Sequence, residues 1–203
     1  AIVKKWAPKV KVGFAAFNGA GNEAVPRLLR ELGFRDTRVV TKLQELNGLF
    51  PAFVWGEQPD PGDPIAAGIA RREFIAEHGQ KNFDRLDLLI GTDPDADRAG
   101  IVVKVTRRQQ KYFGKYKLLS ANDAWTLLLW YRFSKEAEAN NGIVPERDRK
   151  YLTFSHVTTD ALEKVGEVFG VASRGEMLNR KGEPIGGYLE GNRSWVGFPY
   201  IAA

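Results

Sequence analysis

Residues 86–105 read LDLLIGTDPDADRAGIVVKV, and this stretch decides the fold. Leu86 to Gly91 is a short apolar run between polar segments, the pattern of a central strand in a parallel sheet. Gly100 to Val105 resumes as a strand after a tight turn, antiparallel to the first. Between them stand Asp93, Asp95 and Asp97, with Arg98 beside them. Open parallel sheets bind ligands beyond the carboxyl ends of their strands, so this turn lies where chemistry is usually done. Three carboxylates at alternating positions of a turn can converge on one point, and their mutual repulsion makes that arrangement unfavourable unless a cation occupies the centre. Oxygen-only ligands favour Mg²⁺, Mn²⁺ or Ca²⁺ over softer metals. An EF-hand is excluded on its own template: with Asp93 as first loop position, the sixth is Arg98 rather than glycine and the twelfth is Lys104 rather than an acid. Arg98 offers a planar fork of donors to a phosphate oxygen. The competing reading is a surface hairpin whose acids are solvated and whose Arg98 pairs with one of them.

Outward from this turn, strands alternate with helices. Lys11 to Phe17 reads as a buried strand and Asn18 to Asn22 (NGAGN) as a turn. Val25, Leu28, Leu29 and Leu32 then recur at helical spacing, with Pro26 in the first turn and a stop at Gly33. A short strand, Thr37 to Thr41, precedes an irregular Gly- and Pro-rich loop from Gly48 to Pro64. Asp63 is placed to cap a helix running from Pro64 to Gly79. Ser120 and Asn122 offer caps for a helix through Trp125, Leu128, Leu129 and Phe133. Low apolar content from Glu136 to Lys150, with Asn140-Asn141-Gly142, marks a boundary, giving units 1–142 and 143–203. In the second, Tyr151 to Val157 reads as a strand, and Thr158 or Thr159 caps a helix burying Leu162, Val165 and Phe169 and ending at Gly170. The expected class is α/β: three-layer α/β/α units with a mixed, mainly parallel sheet, one complete and one partial.

Composition narrows the function classes. The 203 residues are 43% hydrophobic and 27% charged, enough for a core and unlike a disordered chain. The absence of cysteine excludes disulfides and thiolate metal sites, and it points to the cytoplasm. No apolar run approaches the roughly 20 residues of a membrane helix, so no membrane partner is expected. The net charge of +5 comes from 30 basic and 25 acidic residues intermixed along the chain. Without a recognised nucleic-acid motif, that reads as a solvated surface and no nucleic-acid partner. The basic stretch Lys104 to Lys117, with Tyr112, Phe113 and Tyr116, reads as a hairpin with a wet face, phosphate binding being the alternative. His78 and His156 lack ligand spacing, and the five tryptophans read as core or rim packing. The chain starts at Ala1 without a Met and stops within the apolar run 195–203, and it is therefore expected to be a piece of a longer protein.

The turn TDPDADR (92–98) resembles the metal loop of the α-D-phosphohexomutase family, which includes phosphoglucomutase and phosphomannomutase. The likeness covers nearly the whole chain: VKVGFAAFNGAGNEAVPRLLRELGF (10–34) is similar to the start of the family's second domain, FPAFVWGEQPDPGDP (50–64) to the proline-rich segment before its second helix, LLSANDAWTLLLWY (118–131) to the close of that domain, TFSHVTTDALEKVGEVFGV (153–171) to the opening of the third, and VGFPYIA (196–202) to a later element of it. The resemblance implies a sugar-phosphate mutase moving a phosphoryl group between the C1 and C6 hydroxyls of a hexose, through a phosphoserine and a bisphosphate intermediate. It implies Mg²⁺ on Asp93, Asp95 and Asp97, Arg98 as a catalytic residue, and a hexose phosphate as substrate. Domains one and four of the same protein become the expected partners. No Ser-His-Asn-Pro occurs here, so the isolated piece is expected to be inactive. Two departures stand out. Asn18-Gly19 replaces a frequent His-Gly, read as a tight turn with phosphate binding as alternative. Pro199 stands where the family has a substrate-facing lysine, through a shifted register, a different hold on the sugar, or altered activity.

Two rival readings remain. A haloacid dehalogenase-type phosphatase would use Asp93 as nucleophile and Asp95 as acid, although that class prefers Thr or Val where Asp97 stands. A non-catalytic sugar- or nucleotide-binding α/β module would use the acidic turn only structurally.

Overall fold

The computed structural model describes residues 2–54, 56–155, 157–173, 175–178, 181, 183–189 and 193–194, the final three strands by backbone alone. The chain forms two compact units, residues 1–120 and 121–203. The first begins with α1 (Ile2–Trp6), followed by β1 (Lys11–Ala15), α2 (Gly21–Glu31) and β2 (Asp36–Val39). After an irregular segment come α3 (Pro64–His78), α4 (Gln80–Phe83), β3 (Leu88–Thr92), β4 (Ala99–Lys104), α5 (Gln110–Phe113) and β5 (Tyr116–Leu118).

The five strands form one mixed sheet in the order β2-β1-β3-β4-β5. β1 pairs in parallel with both β2 and β3, while β4 returns antiparallel from Leu88↔Val103 to Thr92↔Ala99 and β5 pairs antiparallel with β4. The α/β class read from the sequence is therefore the observed one. β3 is central, as its apolar run requires, and its carboxyl end carries the aspartate turn.

The core gathers Phe17, Val40, Leu43, Phe74, Phe83, Leu86 and Leu89, none more than 3% exposed. Each such side chain contributes roughly 1.5–3 kcal/mol by leaving water. Phe83 meets Phe74 edge-on at 5.9 Å and Tyr116 at a tilt at 4.6 Å, and the Tyr116 hydroxyl donates to Phe83 O at 2.8 Å. Asp63 caps α3 as expected, its Oδ1 accepting from Ile65 N at 2.8 Å, and the helix stops at Gly79, where φ is +83°.

Helix α2 differs from expectation. It starts at Gly21, so Pro26 lies in its second turn, where a missing N–H leaves the Asn22 carbonyl without its helical donor. Gln44 fills the vacancy, its Nε2 donating to Asn22 O. The helix therefore tolerates an internal proline because the segment after β2 supplies the donor.

The second unit holds α6 (Ala121–Ala139), β6 (Phe154–Ser155), α7 (Ala161–Phe169), β7 (Gly175–Leu178), β8 (Pro184–Leu189) and β9 (Arg193–Ser194). The division falls at 120/121 instead of 142. Helix α6 belongs with the second unit because Phe133 and Ala137 bury with Val144 and Val171, and Phe133 meets Phe169 edge-on at 5.7 Å. Thr159 Oγ1 accepts from Ala161 N at 3.3 Å, and Gly170 ends α7 at φ +71°. The expected strand Tyr151–Val157 is interrupted among the described residues: Tyr151 makes an isolated bridge to Ala172, and Phe154 and Ser155 pair with Arg193 and Ser194. Strand-forming side chains are present there, but their described partners extend over one or two residues at a time. Trp6, Trp125 and Trp130 are each at least half exposed rather than packed. Trp55, His156, Trp195 and Pro199 lie outside the described residues.

Glu73 on α3 is buried and ties the unit together. Its carboxylate accepts from Lys42 Nζ at 2.9 Å and from Arg72 Nε at 3.0 Å, and Arg72 Nη2 also donates to Ala52 O at 3.2 Å. Burial raises the Glu73 pKa, the two cations outweigh it, and the net shift is downward. A depressed carboxyl pKa contributes stability that is present above the unfolded value, about 4.3, and lost as pH falls through the folded one. Since Lys42 and Arg72 are more than half exposed, screening limits the effect to about 1 kcal/mol. Glu73→Gln is expected to lower the urea midpoint at pH 7 and to converge on the wild type below pH 4. Equal differences at both pH values would refute this assignment.

Candidate metal centre

The turn from Asp93 to Arg98 is closed by its own backbone. Arg98 O accepts from Asp93 N at 3.4 Å, Asp93 O accepts from Ala96 N at 3.0 Å, and Ala96 adopts the left-handed conformation at φ +61°. Within this loop the Asp93, Asp95 and Asp97 side chains converge: one carboxylate oxygen from each lies within 4.8 Å of the others. Asp93 is fully buried, while Asp95 and Asp97 are exposed. The three acids therefore converge instead of pointing apart, while the pairing of Arg98 with Asp93 and the exposure of Asp95 and Asp97 are features that the surface-hairpin reading also expects.

Among the described residues, Arg98 is the cation that answers the buried charge of Asp93. Asp93 Oδ1 accepts from Arg98 N at 3.0 Å and Oδ2 from Arg98 Nε at 2.7 Å. Burial pushes the Asp93 carboxyl up, and these bonds pull it below the ordinary aspartate range. Asp97 shows the reverse. Its hydrogen bond to Asp93, reinforced by partial desolvation and by the charges of Asp95 and Asp93, raises its pKa. The Arg98 guanidinium is held in its charged form by Asp93 and Asp60. Three carboxylates, Asp60, Asp93 and Asp97, thus share one guanidinium, and Asp95 adds a further negative charge beside them. The cluster keeps a surplus of negative charge and an all-oxygen donor set, which is what a hard divalent cation fits.

Two neighbouring segments fix the loop in place. The turn after β1 forms its floor: Pro94 O accepts from Ala20 N at 2.7 Å, and a Cβ on Gly19 would lie 2.3 Å from Pro94 Cα. Asn18 is buried at φ +58° and its Nδ2 donates to Lys42 O and Glu45 O. Asn18-Gly19 therefore acts as the tight turn of the sequence reading, and its task is to seat Pro94. On the other side stands the irregular loop before α3. Pro61 is buried against β4, where a Cβ on Gly100 would come within 1.8 Å of Pro61 O, and Asp60 Oδ2 accepts from Arg98 Nη1 at 3.0 Å.

The structure thus brings together Asp93, Asp95, Asp97 and Arg98, the residues the sequence singled out, and adds Asp60, Asn18 and Pro94. No periodicity marks these additions, because their partners lie 38, 24 and 74 positions away. His78 is separate from the cluster, with Nε2 at 2.8 Å from Val39 O. The basic stretch forms the antiparallel β4–β5 pair, with Lys111 Nζ 4.7 Å over the Tyr112 ring and Lys117 Nζ 4.8 Å over Phe113.

Comparison with known proteins bears on the fold and the family. Residues 1–106 match the family model of phosphoglucomutase/phosphomannomutase, alpha/beta/alpha domain II. A phosphoglucomutase of Staphylococcus haemolyticus is 27% identical over 135 residues, covering 66% of this chain and 22% of that protein. A Haemophilus influenzae protein named as a probable phosphomannomutase is 25% identical over 180 residues, covering 84% and 34%. The crystal structure of a Thermus thermophilus protein assigned as a phosphomannomutase shares the fold with a TM-score of 0.55 at 22% identity, covering 81% of this chain and 30% of the other. The chain spans about a fifth to a third of the length of the curated relatives it matches.

Because β4 and the Pro61 backbone touch, Gly100→Ala is expected to destabilise the first unit by about 1–3 kcal/mol. Gly68→Ala, on α3 with open space around it, should instead stabilise by about 0.5–1 kcal/mol. Urea denaturation of both variants measures the contrast, and a neutral Gly100→Ala would contradict the described seating of Pro61.

Proposed function

Given that the chain belongs to the phosphoglucomutase/phosphomannomutase family, we propose that its aspartate turn is the Mg²⁺ site of a sugar-phosphate mutase, one that moves a phosphoryl group between the C1 and C6 hydroxyls of a hexose through a phosphoserine and a bisphosphate intermediate. The observation that supports this reading most strongly is the convergence of three carboxylate oxygens beside Arg98 at the carboxyl end of a central strand.

Asp93, Asp95 and Asp97 hold the cation. When bound, it withdraws charge from the phosphoryl oxygens as the bond to the leaving oxygen breaks. Arg98 binds the same phosphoryl group. Its Nε and Nη1 are engaged by Asp93 and Asp60, so Nη2 is the edge of the fork left to meet a phosphate oxygen. The buried Asp93 aligns Arg98 through both of its carboxylate oxygens and so ranks as an orienting group as well as a ligand. The reacting serine and the sugar-recognition groups come from other parts of the mutase, and this chain alone is expected to bind Mg²⁺ without turning over hexose phosphate. The phosphatase alternative is disfavoured, since a nucleophilic Asp93 would need an accessible oxygen and both of its oxygens accept bonds from Arg98.

Titration calorimetry with MgCl₂ tests the site. The wild-type chain is expected to take up one Mg²⁺, and Asp95→Asn or Asp97→Asn to weaken uptake by on the order of tenfold or more while leaving the circular dichroism spectrum unchanged. Unaltered affinity in both variants would overturn the assignment.

A further inference from the structure

We propose that Asp60 is the positioning residue that keeps Arg98 at the mouth of the aspartate turn when a divalent cation claims Asp93; the proposal rests on the reading of that turn as a Mg²⁺ site.

The Arg98 guanidinium donates hydrogen bonds to two carboxylates, with Asp97 Oδ1 farther away at 3.7 Å from Nε. Nε donates to Asp93 Oδ2 at 2.7 Å and Nη1 to Asp60 Oδ2 at 3.0 Å. The first partner belongs to the convergent cluster and the second does not. A cation drawn to the cluster therefore competes with Arg98 for Asp93 and leaves Asp60 alone. Without Asp60, Arg98 has Asp93 as its strongest remaining partner, and the guanidinium and the cation contend for one carboxylate.

The Asp60 carboxylate is built to receive it. Gly62 N donates to Asp60 Oδ1 at 2.8 Å and Asp63 N to Asp60 O at 3.0 Å, so the turn fixes the side chain independently of Arg98. Asp63 is in turn fixed by capping α3, and Pro61 by its burial against Gly100, two residues beyond Arg98. The acceptor stands on a braced segment and presents its second oxygen to the guanidinium. As a stabilising ion pair this contact counts for little, since the Arg98 and Asp60 side chains are 59% and 41% exposed. What it supplies is orientation.

The test is a double-mutant cycle on Mg²⁺ affinity, read by calorimetry on the 203-residue chain. Asp60→Asn keeps an oxygen for Gly62 N and should leave the urea midpoint unchanged. It is expected to weaken Mg²⁺ binding several-fold, up to on the order of tenfold, because Arg98 then stays on Asp93. In an Arg98→Met background the same substitution should change nothing, since the competitor is gone. Wild-type Mg²⁺ uptake with an unaffected Asp60→Asn variant, or equal weakening in both backgrounds as a plain loss of negative charge would give, removes this proposal alone. A wild-type chain with no Mg²⁺ uptake removes the proposal together with the reading beneath it.

Discussion

A carboxylate with none of its surface in water must have its charge answered by its neighbours, and the first unit is arranged around meeting that demand for Asp93. Both of its oxygens accept hydrogen bonds from one residue, Arg98, through backbone and side chain together. The bonding fixes the shape of the six-residue turn, since its two ends are joined by the same residues. It also settles where the remaining acids go. With Arg98 hydrogen-bonded to Asp93 and Asp60, the Asp95 and Asp97 carboxylates face water, and the Asp97 carboxyl is pushed up by its hydrogen bond to Asp93, by desolvation and by the neighbouring acids.

The sheet makes this arrangement possible by supplying stiff ends on three sides. β3 lies between β1 and β4, so Gly91, its penultimate residue, cannot shift without breaking two ladders, and Thr92 remains paired with Ala99. The turn after β1 packs under Pro94 at a distance only glycine permits, and Pro61 leans on β4 in the same way. Electrostatics and packing therefore act in sequence. Backbones that touch at Gly19 and Gly100 set the frame, and within that frame the acids are brought closer than they would settle in solution.

Much of this was legible from the chain, and the parts that were not share a physical reason. The cap at Asp63, the stops at Gly79 and Gly170 and the central strand before TDPDADR follow from local rules, since each depends on residues a few positions away. The start of α2 was misplaced because Pro26 was judged by its own helix, whereas its missing donor is replaced by Gln44, eighteen positions on. Helix α6 fell on the wrong side of the boundary for the same reason: its polar tail suggested a linker, while Phe133 and Ala137 are committed to Val144 and Val171. In the candidate site the three aspartates and Arg98 announced themselves by spacing. Asp60 did not, because nothing in PDPGDP indicates that an arginine 38 residues later will come to it.

The seating of Pro61 against Gly100 divides the irregular segment into parts with different freedom to diverge. Residues 60–63 join a helix cap, a buried proline and an acceptor for Arg98, so an insertion there would move all three at once. In the preceding stretch, among the described residues, Val54, Gly56 and Gln58 face solvent, and the hydrogen bonds of Val54 go to the nearby Glu57. Length variation among descendants of this chain should therefore accumulate between Val54 and Pro59 and halt abruptly at Asp60, an evolutionary seam one residue wide.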